Sequence, residues 1–559
     1  MTEQPEKRFL FLGGVPVFDY LISVRMDEIA RATEDRVVTV GDRILLPLGT
    51  VFRFQVEGSG ETRVVNPMAS REVQQVHDRC YYSLELGGKH AEQYGFTLCG
   101  DLPSAAAELR QAFPDQIRGE SDLKVVEVSA PALLRLGGNN KNIVEGIHTL
   151  YTSPELRDRV EGVRFEHHFF CDTREPKHGL IQELYGRLGV TLGRPEVMHV
   201  EGLAPRIGYV FTLQDPSGEP LDRVILASRT NEEIIPAEQL RKTYFDLEYR
   251  LRRDPRWVDT HLVVNSMTNP EEVRLLLRLL QTAYAGGAIT TVCPTLTFLR
   301  CLDRLVEARY FTTEEERFFS YRKDLVYAAI LPFVQYLILN RDELSALDDA
   351  VAKRGVDATA SFVANRMNRG KREDCAEGGK VVVTGGSKGA RLTERLSPER
   401  AAVFWRKAEL PPDRAVRFGE RRIVCGNDYV TELTTTLGAG DVFTGIFIGL
   451  TSLGWDGGHA LRAATLGAQH FIRHRTQPRL ADMVAVDEEH IRLGTETELL
   501  DVISHHLAAA GDPTRYGTIS DTVITIRTTQ IQHPFREILA LEADRPGRWA
   551  AFSRRPAGP

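Results

Sequence analysis

The chain has 559 residues, 42% of them hydrophobic and 26% charged, with a formal net charge of -7. That length admits a large core or two domains with insertions, and the composition is that of an ordinary globular protein. The mild acidity gives no electrostatic basis for nucleic acid as a partner, and no stretch approaches the roughly 18 to 20 uncharged apolar residues of a membrane helix.

Seven cysteines without a CxxC pair point to reduced thiols rather than a disulfide frame. The opening apolar run is short and soon broken by glycine, unlike a secretion signal, so a cytoplasmic location is expected. In chain order, "RFLFLGG" predicts a buried strand ending in a glycine turn, with Asp19 just beyond it. From about Ala32 to Leu123, segments such as "RILLPLGTVFRFQV" and "ETRVV" alternate polar and apolar residues. Such alternation predicts half-buried antiparallel strands, and hence an inserted β-rich subdomain. Strand-like and helix-like blocks then alternate, among them "APALLRLGG", "NIVEGIHTLY", "VRFEHHFFC", "KHGLIQELYGRLG", "THLVVNSM", "NPEEVRLLLRLLQTAYAGG", "AITTVCPTL", "YLILN" and "KVVVTGG". This order predicts an α/β fold, with a doubly wound, mostly parallel sheet covered on both faces. "GHALRAATLGAQHFIRH" is an amphipathic helix near the end of the pattern, and the tail beyond about Val484, including "DTVITIRTTQI", carries no assigned role. His167 and His168 border an apolar strand and are expected to be packed or partly exposed histidines rather than metal ligands.

The densest chemistry lies in "TELTTTLGAGDVFTGIFIGL", Thr431 to Leu450. A glycine turn that opens a helix leaves backbone N–H groups unpaired at the positive end of the helix dipole, which suits an anion and above all a phosphate. Gly438 and Gly440 permit the turn and a close approach to the backbone. Asp441 is then either a favourable helix-start charge or a general base beside an anion hole, placed to activate a hydroxyl for attack on a phosphoryl group. "YLILNRDEL" ends a buried strand in an acidic turn, where Asn340 and Glu343 form either a helix cap or a water-mediated Mg²⁺ site. "VVVTGGSKGARL" is a strand running into a glycine loop that could cradle a nucleotide. "TGGSKG" also resembles the cofactor turn of short-chain dehydrogenases. Only about 170 residues follow Thr384, however, and Tyr429 and Tyr516 have Leu433 and Ser520 four positions on, where YxxxK needs lysine.

Together these blocks resemble the ribokinase-like (PfkB) carbohydrate kinase family. "TTLGAGDVF" departs from that family's D-T-x-G-A-G-D-x-F signature only at Thr435, and "LGGNNKN" supplies the two glycines and later asparagine of its first signature as Gly137, Gly138 and Asn142. The order of five motifs between residues 8 and 475 carries the resemblance. A second glycine pair, Gly87 and Gly88, is followed by Glu92 instead of asparagine and reads as part of the insertion.

The resemblance implies a kinase unit over residues 1–483, with about 32–123 as a lid and 484–559 as an extension. It implies Asp441 as base, with the amides of Gly438, Ala439 and Gly440 facing the transferring phosphoryl group. Glu343 and Asn340 would organise Mg²⁺; Asp19, Gly137, Gly138 and Asn142 would hold the acceptor; Thr384, Gly386, Ser387 and Gly389 would line the nucleotide loop. The implied partners are a nucleotide and a sugar or nucleoside, with no nucleic acid and no membrane, and homodimerisation through an exposed sheet face competes with the lid role. ADP-dependent sugar kinases share the NxxE and GxGD blocks. The HxE motif of that branch is missing around or downstream of "VVNSM", and His199 with Glu201 comes too early, so ATP is favoured as donor. A nucleoside kinase, an ADP-dependent sugar kinase and a catalytically weak sugar-binding homologue stay open as alternatives.

Overall fold

The computed structural model describes residues 7–493 except 15, 35–36, 41–42, 67–72, 77–78, 86–92, 95–96, 100, 194–197, 204, 219, 228–234, 254–259, 268, 308–320, 350, 369–376, 397–417 and 426–437, and then 519–520, 523–527 and 534–543. Gly87, Gly88 and Glu92, the polar run Thr431 to Leu437 and most of the tail lie outside these residues.

The elements that build the site are, in chain order, β1 (Arg8–Gly13), β2 (Val17–Arg25), β3 (Leu133–Gly137), α1 (Asn139–Tyr151), β4 (Arg206–Gln214), β5 (Thr260–Asn265), β6 (Ile289–Cys293), β7 (Tyr336–Asn340), α2 (Arg341–Leu347), β8 (Glu377–Thr384), α3 (Ala439–Ser452) and α4 (Gly457–His474). The central sheet has eleven strands in the order Val190–Leu192, Arg164–His168, β1, β5, β6, β7, β8, Ala390–Leu396, Phe418–Cys425, Val523–Arg527, Ile519–Ser520. From Val190–Leu192 through β8 every neighbouring pair is parallel; beyond β8 come two antiparallel pairings, one parallel and a last antiparallel one. Every residue of β5 and β6 is buried, as continuous apolar strands covered on both faces must be. One face packs on α1, α3 and α4 through Ile147, Phe447 and Leu461. The other packs on helices Pro270–Gly286 and Leu296–Glu307 through Leu276, Leu280 and Leu302. This is the doubly wound α/β architecture that the alternating pattern predicts.

β1 pairs with Arg164–His168 on one side and with β5 on the other, and the later strands continue outward from each. The crevice for a ligand in such a sheet opens where the strand order reverses, at the carboxyl end of β1. α1 and α3 meet beside that point. A Cβ at Gly445 would stand 2.6 Å from the Ile143 carbonyl oxygen, so glycine is what lets these helices approach so closely, and the Tyr151 hydroxyl donates to Gly449 O at 2.9 Å.

β2 leaves the central sheet and joins a five-stranded sheet in the order β3, β2, β4, Pro220–Ala227, Gln93–Tyr94. Phe18, Tyr20, Ile22 and Val24 are buried and the intervening residues half-buried, the two-residue period of a one-sided sheet. Tyr20 stacks on Tyr209 with ring centroids 5.2 Å apart, in a core shared with Phe52, Phe54 and Val65. Strands between Val38 and Glu127 form two four-stranded sheets. The β-rich region thus draws strands from well beyond 32–123, including the hairpin Arg206–Gln214 and Pro220–Ala227.

Part of the tail is built into the core. Val523–Arg527 pairs with Phe418–Cys425 in the central sheet, and helix Phe535–Ala543 buries Phe535 and Ile538 in the same cluster as α4. Glu542, 1% exposed, accepts a hydrogen bond from the Asp456 amide at 3.2 Å. No helix among the described residues is long and apolar enough to cross a membrane.

Candidate active site

Gly438 caps α3 with a positive φ of 81°, a left-handed conformation that favours glycine, and it places Asp441 in the first turn. α1 begins in the same way at Gly138, with φ 103°. Asn140 Nδ2 donates to Gly13 O at 2.7 Å and ties the start of α1 to the end of β1. Two residues on, Asn142 Nδ2 donates to Asp441 Oδ2 at 3.0 Å. The two glycine motifs, some 300 residues apart in the chain, are therefore joined by one hydrogen bond.

Asp19 stands on β2 between β3 and β4 and is half-buried. A Cβ at Gly137 on one side or at Gly208 on the other would overlap its carboxylate, so both glycines make room for it. Arg135 is its direct cross-strand partner. Burial pushes Asp19 up to about 7, against the pull of Arg135 and Lys141. Burial pushes Asp441 up to about 7 as well; the Asn142 bond and Lys141 work against that rise, and the neighbouring charge of Asp19 adds to it. Two carboxylates pushed up toward neutrality, one of them sensing the charge of the other, are suited to proton exchange near that pH.

Asp441 also borders a cavity of about 190 Å³, shared with Asn265, Cys293, Asn340, Glu343 and Thr384. Asn340 accepts from the Glu343 amide at 2.8 Å, and Glu343 Oε2 accepts from the Asn340 amide at 2.7 Å. This is a capping box at the start of α2; the cap that the sequence allowed is real, and the same bonds hold the Glu343 carboxylate on the cavity. No group of three or more His, Cys, Asp or Glu side chains gathers for a metal among the described residues. Mg²⁺ in phosphoryl-transfer sites is held by one or two carboxylates together with waters and phosphates, so Glu343, set on this cavity by its bonds with Asn340, fits that ion. Thr384 lines the cavity and is paired in register with Asn340. The loop beyond it closes through the Gly385 amide on Gly389 O at 2.7 Å, with positive φ at Gly386 and Gly389. Ser387 lies in this turn.

Gly438, Ala439, Gly440, Asp441, Asn142, Asp19, Gly137, Gly138, Asn340, Glu343 and Thr384 thus come together around the ends of β1, β7, β8, α1 and α3. His167 is structural: fully buried, it contacts Gly13 O at 2.8 Å, and burial pushes it down to about 4, so it stays neutral. His199 accepts from the Thr173 amide at 3.0 Å in another loop. Sequence reasoning missed Asn265, Cys293, Gly208 and Lys141. The rule that α/β sites form at carboxyl ends of strands would have found Asn265 and Cys293, which end β5 and β6. Nothing local marks Gly208, because its role depends on pairing with a strand almost 190 residues earlier.

No family model matches the chain, and no curated protein matches it. Several solved structures do. A probable sugar kinase from Rhizobium etli aligns at 11% identity and TM-score 0.43, over 87% of this chain and 99% of that one. Adenosine kinase from Anopheles gambiae, in complex with P1,P4-di(adenosine-5) tetraphosphate, aligns at 13% identity and TM-score 0.43, over 84% and 98%. The nucleoside kinase of Methanocaldococcus jannaschii, an archaeal member of the ribokinase family, aligns at 12% identity and TM-score 0.42, over 87% and 99%. These are likenesses in the course of the chain. The chain is similar in that sense to sugar and nucleoside kinases of the ribokinase family.

Proposed function

We propose that the protein is a Mg²⁺-dependent kinase that transfers a phosphoryl group from a nucleotide, with ATP favoured, to a hydroxyl of a sugar or nucleoside. The observation that carries this reading is Asp441: a carboxylate in the first turn of a glycine-capped helix, bonded to Asn142, shifted to about 7 by burial and facing a cavity shared with Glu343 and Thr384. Asp19, with Asn142, would orient the acceptor hydroxyl. Asp441 would take its proton as the hydroxyl oxygen bonds to the terminal phosphorus and the bond to the leaving phosphate oxygen breaks. The amides at the start of α3 would meet the charge on the transferring group. Glu343, set by its cap, would hold the divalent ion, which supplies charge neutralisation to the nucleotide phosphates when bound. A turnover screen of sugars and nucleosides with ATP and ADP in parallel tests the reading: phosphorylation of an acceptor that disappears in Asp441→Asn is expected, and nucleotide consumption unaffected by that substitution would refute it.

A further inference from the structure

Ser266 directly follows β5 and has a φ of 41°, a conformation that is costly for a residue with a Cβ and that glycine adopts freely. Such backbone persists only where its surroundings hold it. Here the hydroxyl is the junction of three elements. Asn139 Nδ2, at the first residue of α1, donates to Ser266 Oγ at 2.9 Å. Ser266 Oγ donates to Asn265 Oδ1, at the end of β5, at 3.1 Å. The Thr295 hydroxyl, just beyond β6, stands 3.5 Å from the same oxygen and accepts from the Phe298 amide at 3.3 Å. The Ser266 carbonyl takes the Gly14 amide at 3.4 Å, which ties the residue to the end of β1 as well. Glycine here would relieve the backbone and lose every bond of the hydroxyl, so the hydroxyl is what serine contributes.

Those bonds decide which groups two amides offer to the site. Asn139, Asn265 and Thr295 line the cavity that Asp441 borders. Asn139 Nδ2 and Asn265 Oδ1 are both committed to Ser266. What remains for a ligand is Asn139 Oδ1, an acceptor, and Asn265 Nδ2, a donor. Asn265 is 2% exposed, so the partner that its amide nitrogen requires must come from the cavity. Because both amides bond one serine oxygen, the remaining donor and acceptor belong to neighbouring groups. A phosphoryl oxygen can only accept, whereas a hydroxyl both accepts and donates. The pair therefore matches a hydroxyl of the ligand.

We propose that Ser266 is a positioning residue: its hydroxyl fixes the Asn139 and Asn265 amides so that they bind a second hydroxyl of the acceptor, beside the one that reacts at Asp441. The acceptor is then a polyol rather than a simple alcohol. The turnover part of the test rests on the kinase reading; the binding part does not. The probes are D-ribose, D-glucose and adenosine with their monodeoxy analogues, used for thermal shift without nucleotide and for turnover with ATP. Ser266→Gly removes the hydroxyl and relieves the backbone, whereas Ser266→Ala removes the hydroxyl and keeps the strain. Ser266→Gly should melt at or above wild type, and Ser266→Ala about a degree or two below Ser266→Gly. Despite that difference, both should raise the acceptor KM about tenfold with kcat and nucleotide KM nearly unchanged, the mark of lost ground-state binding. The Tm rise given by a polyol should shrink in both variants. The monodeoxy analogue that wild type binds about tenfold more weakly should show no further loss in either variant, because the two changes remove one interaction. An acceptor KM and a polyol-induced Tm rise that are unchanged in Ser266→Gly would overturn the proposal. Losses that follow Tm, present in Ser266→Ala and absent in Ser266→Gly, would do the same; should one variant not fold, the other is read alone. A wild type that neither melts higher with these polyols nor phosphorylates them would overturn it too. Tm rises that shrink in both variants, with no turnover in the wild type, would leave Ser266 in this role and remove the kinase reading.

Discussion

Asp441 is held where its charged form is disfavoured, and this has consequences for stability as well as for rate. In the unfolded chain it titrates near the ordinary 3.8, whereas burial moves it to about 7 in the folded state. Between those values the folded protein keeps a proton that the unfolded chain has lost, so stability falls as pH rises through that window, and the whole penalty stands above about 7. Asp441→Asn should therefore melt a few degrees higher than wild type at pH 8 and about equally at pH 4, by differential scanning calorimetry; a lower Tm at pH 8 would contradict a destabilised carboxylate. The same variant should lose at least about a thousandfold in kcat with nucleotide affinity little changed, and a tenth of wild-type turnover would remove Asp441 from the role of base. Gly208 gives an independent probe of Asp19. The added methyl of Gly208→Ala overlaps the Asp19 carboxylate and must displace it, so acceptor KM should rise about tenfold or more while nucleotide affinity holds. An unchanged acceptor KM would mean that Asp19 does not touch the acceptor.

At the level of elements, α2 shows how one set of bonds can serve two purposes. Asn340 and Glu343 satisfy each other's amides, and the Glu343 carboxylate thereby faces the cavity. Substitution can separate the two roles. Asn340→Ala removes the cap acceptor and should cost about 1 kcal/mol of stability. Glu343→Gln keeps a side chain able to accept from the Asn340 amide but lacks the charge, so it should fold as wild type and need more Mg²⁺ for half-maximal rate. An unchanged Mg²⁺ titration would reduce the motif to its capping role. α1 and α3 illustrate the complementary case: their glycine-capped starts are legible one by one, but the contact at Gly445 that sets them side by side is a matter of packing.

For the whole molecule, the site draws on both the β-rich sheets and the central sheet. Phosphoryl transfer loses its donor to water unless solvent is excluded once the acceptor is bound. Asp19 lies on the five-stranded sheet while Asp441 lies on a helix against the central sheet, so the pair proposed to handle the hydroxyl is divided between the two. Acceptor binding should therefore slow amide hydrogen exchange in Val17–Arg25, Leu133–Gly137 and Arg206–Gln214, whereas nucleotide alone should protect chiefly Gly386–Gly389 and Gly438–Asp441. Protection of those strands that rises with protein concentration and ignores the acceptor would favour a homodimer interface on this sheet instead.

Much of this was legible in the chain itself. Continuous apolar strands separated by amphipathic helices announce a parallel sheet covered on both faces, because only that arrangement buries both sides of such strands. The glycines that open α1 and α3 announce their helix starts, and Asn340 with Glu343 announces a cap, because these depend on backbone conformation over a few residues. What the tertiary structure alone decided are the relations between distant segments: that Asn142 meets Asp441, that Asp19 lies between Gly137 and Gly208, that the hairpin after Arg206 shares its sheet, and that strand Val523–Arg527 joins the central sheet. Local sequence constrains φ and ψ and the side on which a residue is buried. Which strand lies beside which, and which carboxylates come near enough to shift one another's protons, is set by the packing of the whole chain and has no local signature.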